Sequence, residues 1–304
     1  MSAKLSFYMA VMRATIRPAF SRMADAMRLQ TIMEKFDRRM SSWPEDKATI
    51  QVENVNGMKA HWIEPLNGYG DRVILYLHGG AFIARSPRTH GTMLATLCRE
   101  TGARGFMPDY GLLPQNPMPA AQDDCEKAYR FLLDQGIDAS QIVLAGDSAG
   151  GFLCMTTLHR IRAADLPMPR SVILLSPGGV IREEERGTMI TNAKRDAMFT
   201  IQAIETLTEL VAPPYAEGPD YYPLEFDLSG LPPIHIEVGG TEILLDDSRI
   251  LHERVQAAGG DSKLVITPNA PHVLPVFPVP EAREAIDRMA AFIWKSFNLA
   301  HAKS

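Results

Sequence analysis

No stretch of this 304-residue chain is apolar for the twenty or so residues that span a bilayer, so no transmembrane helix is expected. Cysteine is scarce as well. Cys98, Cys125 and Cys154 lie far apart, form no C-x-x-C pair and match no zinc spacing. That excludes a disulfide framework and a structural zinc module, and it points to a reducing compartment, with the cytoplasm as the expected location. Positive charge is not in excess: the formal net charge is −5, which leaves no footprint for nucleic acid. Neither G-x-G-x-x-G nor G-x-x-x-x-G-K-[ST] stands at a strand end, so nucleotide binding is set aside.

What is present is ordinary globular material, 46% hydrophobic and 22% charged, enough for one large α/β domain or two smaller ones. At the N-terminus the run 5–12 (LSFYMAVM) is followed by Arg13 and Arg17 where a signal peptide would place small residues. The segment therefore reads as mature structure rather than a leader. Leu5, Met9, Met12 and Ile16 form one helical stripe, and Phe20, Met23 and Met27 repeat the spacing after Pro18, which should break the segment into two helices. Seven of the sixteen methionines fall between Met1 and Met40. Three readings compete: core packing, a membrane-surface helix, and a soft adaptable lid over an apolar pocket. The lid ranks first, because the main domain begins only after residue 45.

From there strands and helices alternate. A hairpin turns at Asn56-Gly57, strands run over 72–77, 105–110, 141–145, 172–175, 233–238 and 263–267, and helices cover 89–100, 120–133, 246–258 and 281–297. Residues 180–220 lose strand character and read as an insertion. The pattern implies a mostly parallel sheet covered on both faces. The expected organisation is a catalytic domain over 46–304 and a helical cap made of 1–45 and 180–220.

The organising stretch is Ile142 to Gly151, an aliphatic strand that ends in Gly146-Asp147-Ser148-Ala149-Gly150. Strand, sharp turn and helix would lift the Ser148 hydroxyl above the strand end, with free N–H groups of the helix start around it. His78-Gly79-Gly80-Ala81 directly follows another strand. The N–H groups of Gly79, Gly80 and Ala149 are the expected oxyanion donors, and Ala81 is a further backbone donor if needed. A serine needs a base, and in this fold class the base follows an acid late in the chain. His159, His235, His252 and His301 lie on helices, in a strand or in the tail. His272 stands in the loop Pro268 to Val273 after the last strand and is the favoured base. Glu242, after the strand ending at Val238, is the favoured acid. Asp246 remains an alternative, although Asp246 and Asp247 suit the start of the next helix.

HGGAF, the run Asp109 to Asp124, GDSAGG and the late Pro-His loop together resemble the hormone-sensitive-lipase-like family of α/β-hydrolase esterases, over roughly residues 70–295. The resemblance implies an α/β-hydrolase fold with a helical cap. It implies a serine carboxylesterase acting on short- to medium-chain esters through an acyl-enzyme, lactones included as cyclic esters, with no cofactor and no metal. Ser148, Glu242 and His272 would be the triad. Phe82, Asp147, Met9, Met12 and Val273 are expected to contact substrate. The partner is a small ester rather than nucleic acid or an integral membrane, and a homodimer is left open. Ala81, Gly111, Leu113, Gln115 and Glu242 depart from the usual family residues. The competing functional class is a receptor that keeps the fold and binds a small ligand without turning it over.

Overall fold

The computed structural model describes residues 1–22, 25–179, 181–212 and 216–297; Met23 and His301 lie outside them. Eight strands form one sheet: β1 (Ala48–Val55), β2 (Met58–Pro65), β3 (Val73–Leu77), β4 (Arg104–Pro108), β5 (Ile142–Asp147), β6 (Ser171–Leu175), β7 (Ile234–Gly239) and β8 (Ser262–Thr267). Their order is β1-β2-β4-β3-β5-β6-β7-β8, antiparallel from β1 to β4 and parallel from there on. Asn56 and Gly57 make the β1–β2 turn with φ of 50° and 92°, the left-handed pair a two-residue hairpin asks for. β3, β5, β6 and β7 are buried along their whole length, as both-face coverage requires.

Side chains alternate between two cores. From β3, Ile74 and Tyr76 join Met93, Leu94 and Leu97 of α3 (Pro87–Thr101) and Ile286, Met289 and Ile293 of α9 (Pro280–Ser296). Leu75 and Leu77 face the other way, into a core shared with α4 (Ala120–Asp134), α5 (Ala149–Ala163) and α8 (Leu245–Ala257). Proline opens α3 and α9, where its missing N–H is no loss, and Gly102 closes α3 at φ 59°. The three cysteines are buried free thiols.

The N-terminal segment forms α1 (Ala3–Phe20) and α2 (Ala26–Met40). The stripe Leu5, Met9, Met12, Ile16 is buried as spaced, and Phe20 continues it. Pro18 does not break the helix where it stands; it sits in the last turn of α1, which ends two residues later. Met27 is exposed, and Leu29 carries the buried face of α2 instead. Residues 181–212 add only the short α6 (Thr188–Thr191), α7 (Ile201–Val211) and a single 3-10 turn over 183–185, with no strand among the described residues. No helix among the described residues is long and apolar enough to cross a membrane.

Candidate active site

The carboxyl ends of β3, β5, β6, β7 and β8 meet at one edge of the sheet, where parallel α/β sheets carry their sites. Register brings them level. Leu77 of β3 pairs with Gly146 of β5, so His78-Gly79-Gly80 emerges beside Asp147-Ser148. Gly239 of β7 pairs with Thr267 of β8, so the loops carrying Glu242 and His272 emerge side by side.

Ser148 is the cap of α5 and adopts φ 52°, ψ −118°, a conformation that non-glycine residues rarely hold. Its surroundings leave no freedom. A Cβ on Gly150 would lie 1.8 Å from the Leu77 carbonyl oxygen, and one on Gly146 would lie 2.5 Å from the Gly150 carbonyl oxygen. Gly150 lets the turn pack against β3, and Gly146 lets β5 pass the start of α5. The Ser148 N–H donates to the Leu175 carbonyl at 2.8 Å, and its carbonyl accepts from Gly178 at 3.2 Å.

Among the described residues, the N–H groups of Gly80, Ala81 and Ala149 have no hydrogen-bond partner. Gly79 differs from expectation. Its N–H donates to Asp147 Oδ1 at 2.8 Å and is not left for a substrate. The free donors therefore start one residue later than the sequence pattern suggested. Gly80 has φ +125°, with the Ala84 carbonyl oxygen 2.0 Å from where a Cβ would stand; Ala81 and Phe82 follow at φ 56° and 58°.

Asp147 is buried and committed to the scaffold. Besides Gly79 it accepts from the Tyr76 hydroxyl at 2.6 Å, and His90 Nε2 lies 3.3 Å from its other oxygen. Burial alone would raise its carboxyl; the His90 charge, then the Tyr76 and Gly79 donors, outweigh that and pull it down to about 2. Burial likewise opposes a charge on His90, but Asp147 outweighs it and raises the imidazole above its ordinary value.

Glu242 and His272 meet in the buried interior. Nδ1 of His272 lies 2.6 Å from Glu242 Oε2. The other carboxylate oxygen accepts from the Ser176 hydroxyl at 2.7 Å and the Gly239 N–H at 2.5 Å. Burial disfavours the imidazolium, yet the Glu242 charge and hydrogen bond prevail and raise His272 above its ordinary 6.5. Its Nε2 is buried and makes no hydrogen bond among the described residues, Ser148 included. Hydrogen bonds of this kind are often long before substrate binds.

Asp246, the alternative acid, takes the bland role: it accepts from the Thr188 N–H at 2.7 Å and pairs with Arg249. Asp247 forms a buried ion pair with Arg186. The other late histidines are engaged elsewhere, His235 with Glu237 and His252 with Ser262. His159 packs against Phe226.

Beside Ser148 lies a mostly apolar cavity of about 130 Å³. Phe82, Phe152, Phe199, Ile204 and Leu244 line it together with Ser148 and Ala149. Phe199 also stands edge-on to the His272 ring at 5.0 Å, so His272 packs behind the cavity wall. Of the expected substrate contacts, Phe82 is in this lining. Asp147 is not, for the reason above. Met9 and Met12 pack into the core under α1, and the Val273 N–H donates to Ser176 while its side chain is buried outside the lining.

Sequence reasoning missed several supports. Ser176 bridges Glu242 and the His272 loop. Asp196 accepts from the Ile243 N–H at 2.8 Å, and the Asn192 amide donates to the Glu242 carbonyl at 2.8 Å, so the 180–220 insertion holds the Glu242 turn. The only signal for these was a polar residue at a strand end or inside an insertion. No group of three His, Cys, Asp or Glu among the described residues is arranged to hold a metal ion.

Residues 74–276 match a family model described as the alpha/beta hydrolase fold. The chain is 34% identical to an acetyl-hydrolase of Streptomyces hygroscopicus over 80% of its own length and 81% of that protein's. It is 32% identical to the esterase LipU of Mycobacterium tuberculosis, covering 81% of this chain and 86% of that protein. Among solved structures, an esterase from the bacterial hormone-sensitive lipase family superposes with a TM-score of 0.87 at 34% identity, over 97% of this chain and 99% of that one. The structure of EstE5 soaked with p-nitrophenyl butyrate superposes with a TM-score of 0.87 at 30% identity, over 98% of this chain and 100% of that one.

Proposed function

The chain belongs to the hormone-sensitive-lipase-like family of the α/β-hydrolases and is a carboxylic ester hydrolase, and from that premise we propose that it cleaves short- to medium-chain esters through an acyl-enzyme on Ser148. The observation that carries this reading is the buried Glu242–His272 pair, whose Nε2 has no partner among the described residues and whose ring packs on Phe199, a wall residue of the cavity that Ser148 also lines. His272 takes the Ser148 proton as the oxygen attacks the ester carbonyl. The oxyanion is received by the N–H groups of Gly80, Ala81 and Ala149. His272 then protonates the leaving alcohol, and water repeats the sequence on the acyl-enzyme. Glu242 fixes the imidazole tautomer and stabilises its cation throughout. Lactones, as cyclic esters, fall under the same chemistry.

A cavity of about 130 Å³ is close to the roughly 150 Å³ apolar cavity that accepts a benzene-sized guest. That favours acyl groups of a few carbons, and a butyrate ester was the compound soaked into the EstE5 crystals. The cap reading is supported by contacts of α1 with the insertion: Arg17 and Arg13 donate to the carbonyls of Ala193 and Arg195, both at 2.8 Å, and Phe20 packs on Phe199 at 5.0 Å. A cytoplasmic setting belongs to the same proposal and is supported by the three free thiols.

The test is hydrolysis of p-nitrophenyl esters from acetate to laurate by wild type and Ser148→Ala. The expected result is a short- to medium-chain optimum, abolished in the variant. Mass spectrometry during turnover should find the acyl group on the Ser148 peptide. Activity that survives Ser148→Ala overturns the mechanism.

A further inference from the structure

The cavity beside Ser148 has a neighbour. A second depression, about 270 Å³, shares Ile181, Arg182, Glu184 and Tyr222 with it. Those four residues are the partition between the two spaces, and Ser148 borders only the first. The partition is closed by a latch. The Arg182 guanidinium stacks on the Tyr222 ring, 3.8 Å from its centroid, and its Nε donates to Glu225 Oε1 at 2.9 Å, with Nη2 on the same oxygen. Its backbone N–H donates to Glu185 Oε2 at 3.3 Å, but among the described residues its side chain makes no other hydrogen bond; that side chain is 43% exposed, and Glu225 is 36% exposed. An exposed pair of this kind contributes little to folding, so its geometry is open to another explanation than stability. Beyond the latch the depression carries charged residues, Glu184, Glu185, Glu225 and Arg254, on one side, and Leu224 with the shared Ile181 supplies the apolar surface on which a chain end can rest.

We propose that the Arg182–Tyr222–Glu225 latch sets the longest acyl chain this enzyme accepts. Closed, it ends the cavity after a short acyl group. Opened, it joins the cavity to the second depression, and chains that would have met the guanidinium run on into it. The proposal rests on the reading that the acyl group occupies the cavity beside Ser148.

The test compares kcat/KM for p-nitrophenyl butyrate and p-nitrophenyl laurate in wild type, Arg182→Ala, Arg182→Lys and Tyr222→Ala. The laurate-to-butyrate ratio is measured on one sample each time, so any loss of folded protein cancels. Arg182→Ala and Tyr222→Ala should raise the ratio about tenfold, the gain from burying roughly two more methylenes at three- to fourfold each. Arg182→Lys keeps the cation over the ring and should stay near the wild-type ratio. An unchanged ratio in both alanine variants overturns the latch and leaves the esterase intact. A shift found instead along a series of alkyl acetates places the alcohol in the cavity and also overturns it. A wild type inactive on every ester overturns the functional reading beneath it.

Discussion

Asp147 Oδ1 and the Gly79 N–H stand 2.8 Å apart, and that bond ties the residue before the candidate nucleophile to the turn bearing the free N–H groups. The same oxygen takes the Tyr76 hydroxyl, and the other faces His90. Asp147 thus sets the distance between the Ser148 turn and the loop with the free N–H groups, and His90 supplies the charge that makes its burial tolerable.

His90→Gln should therefore destabilise the fold by about 3 kcal/mol, the cost of leaving a buried carboxylate without its counter-charge. The pH window follows from the two shifts. His90 is raised above 6.5, so its contribution is complete below 6.5 and is lost as pH rises through the folded value. Asp147 is depressed to about 2, so its contribution is complete above its ordinary 3.8 and is lost as pH falls toward 2. Chemical denaturation across pH should find the gap between wild type and variant widest between those limits and narrowing toward alkaline pH.

Glu242→Gln removes the charge that raises His272. The base must be neutral to act, so wild-type kcat/KM should fall on the acid side with a midpoint above 6.5. In the variant, burial is left as the main influence, and the midpoint should move below 6.5, with turnover reduced by about 10³-fold or more. Asp246→Asn keeps an acceptor for the Thr188 N–H and loses only the pair with the exposed Arg249, so it should cost at most about 1 kcal/mol of stability and leave the pH profile in place. A damaging Asp246→Asn beside a mild Glu242→Gln would reverse the assignment of the acid.

Ala81→Gly tests whether position 81 acts through its backbone. Relief of the positive φ, worth about 1–2 kcal/mol, is offset by loss of a buried methyl, about 0.8 kcal/mol. Stability and turnover should both stay close to wild type in thermal melts and steady-state assays. Gly80→Ala should behave oppositely, because its Cβ has no room beside the Ala84 carbonyl. Displacing one oxyanion donor there is expected to lower kcat about 10²-fold or more.

Ser176→Ala removes a hydroxyl that bonds Glu242 and the Val273 N–H. The expected loss is about 1 kcal/mol of stability and a fall in kcat with KM little changed, read with the butyrate ester. A proportional rise in KM instead would place Ser176 in substrate binding.

Much of this was legible in the chain. Gly146-Asp147-Ser148-Ala149-Gly150 between an aliphatic strand and a helix is a local pattern, and local sterics decide it; Ser148 φ is 52° as that turn demands. The alternation of strands and helices likewise exposed the sheet, because burial on both faces leaves long aliphatic runs. Chain order and loop position singled out Glu242 and His272, which the fold brings to 2.6 Å of each other. What failed was direction. Gly79 and Gly80 look equivalent in sequence, and only the bond to Asp147 shows that the first N–H is occupied. Met9 and Met12 were spaced correctly, but periodicity says which residues share a face and not what the face meets. Ser176, Asp196 and Asn192 left almost no trace, since a lone polar residue gains its meaning from partners tens of residues away.

The strand order has a consequence for how activity returns after unfolding. Ser148 follows β5 at the centre of the sheet, while Glu242 and His272 follow β7 and β8, the last strands added on that side. The β6–β7 pairing joins residues about as far apart in the chain as the β3–β5 pairing does, and each loop must close before its pairing is rewarded, so all of them must be in place before the three residues meet. A refolding chain can therefore hold its serine turn, most of its helix content and a collapsed core while still unable to turn over a single ester. Recovered hydrolysis should lag the recovered helical signal, which makes enzyme activity a reporter for the outermost parallel strands.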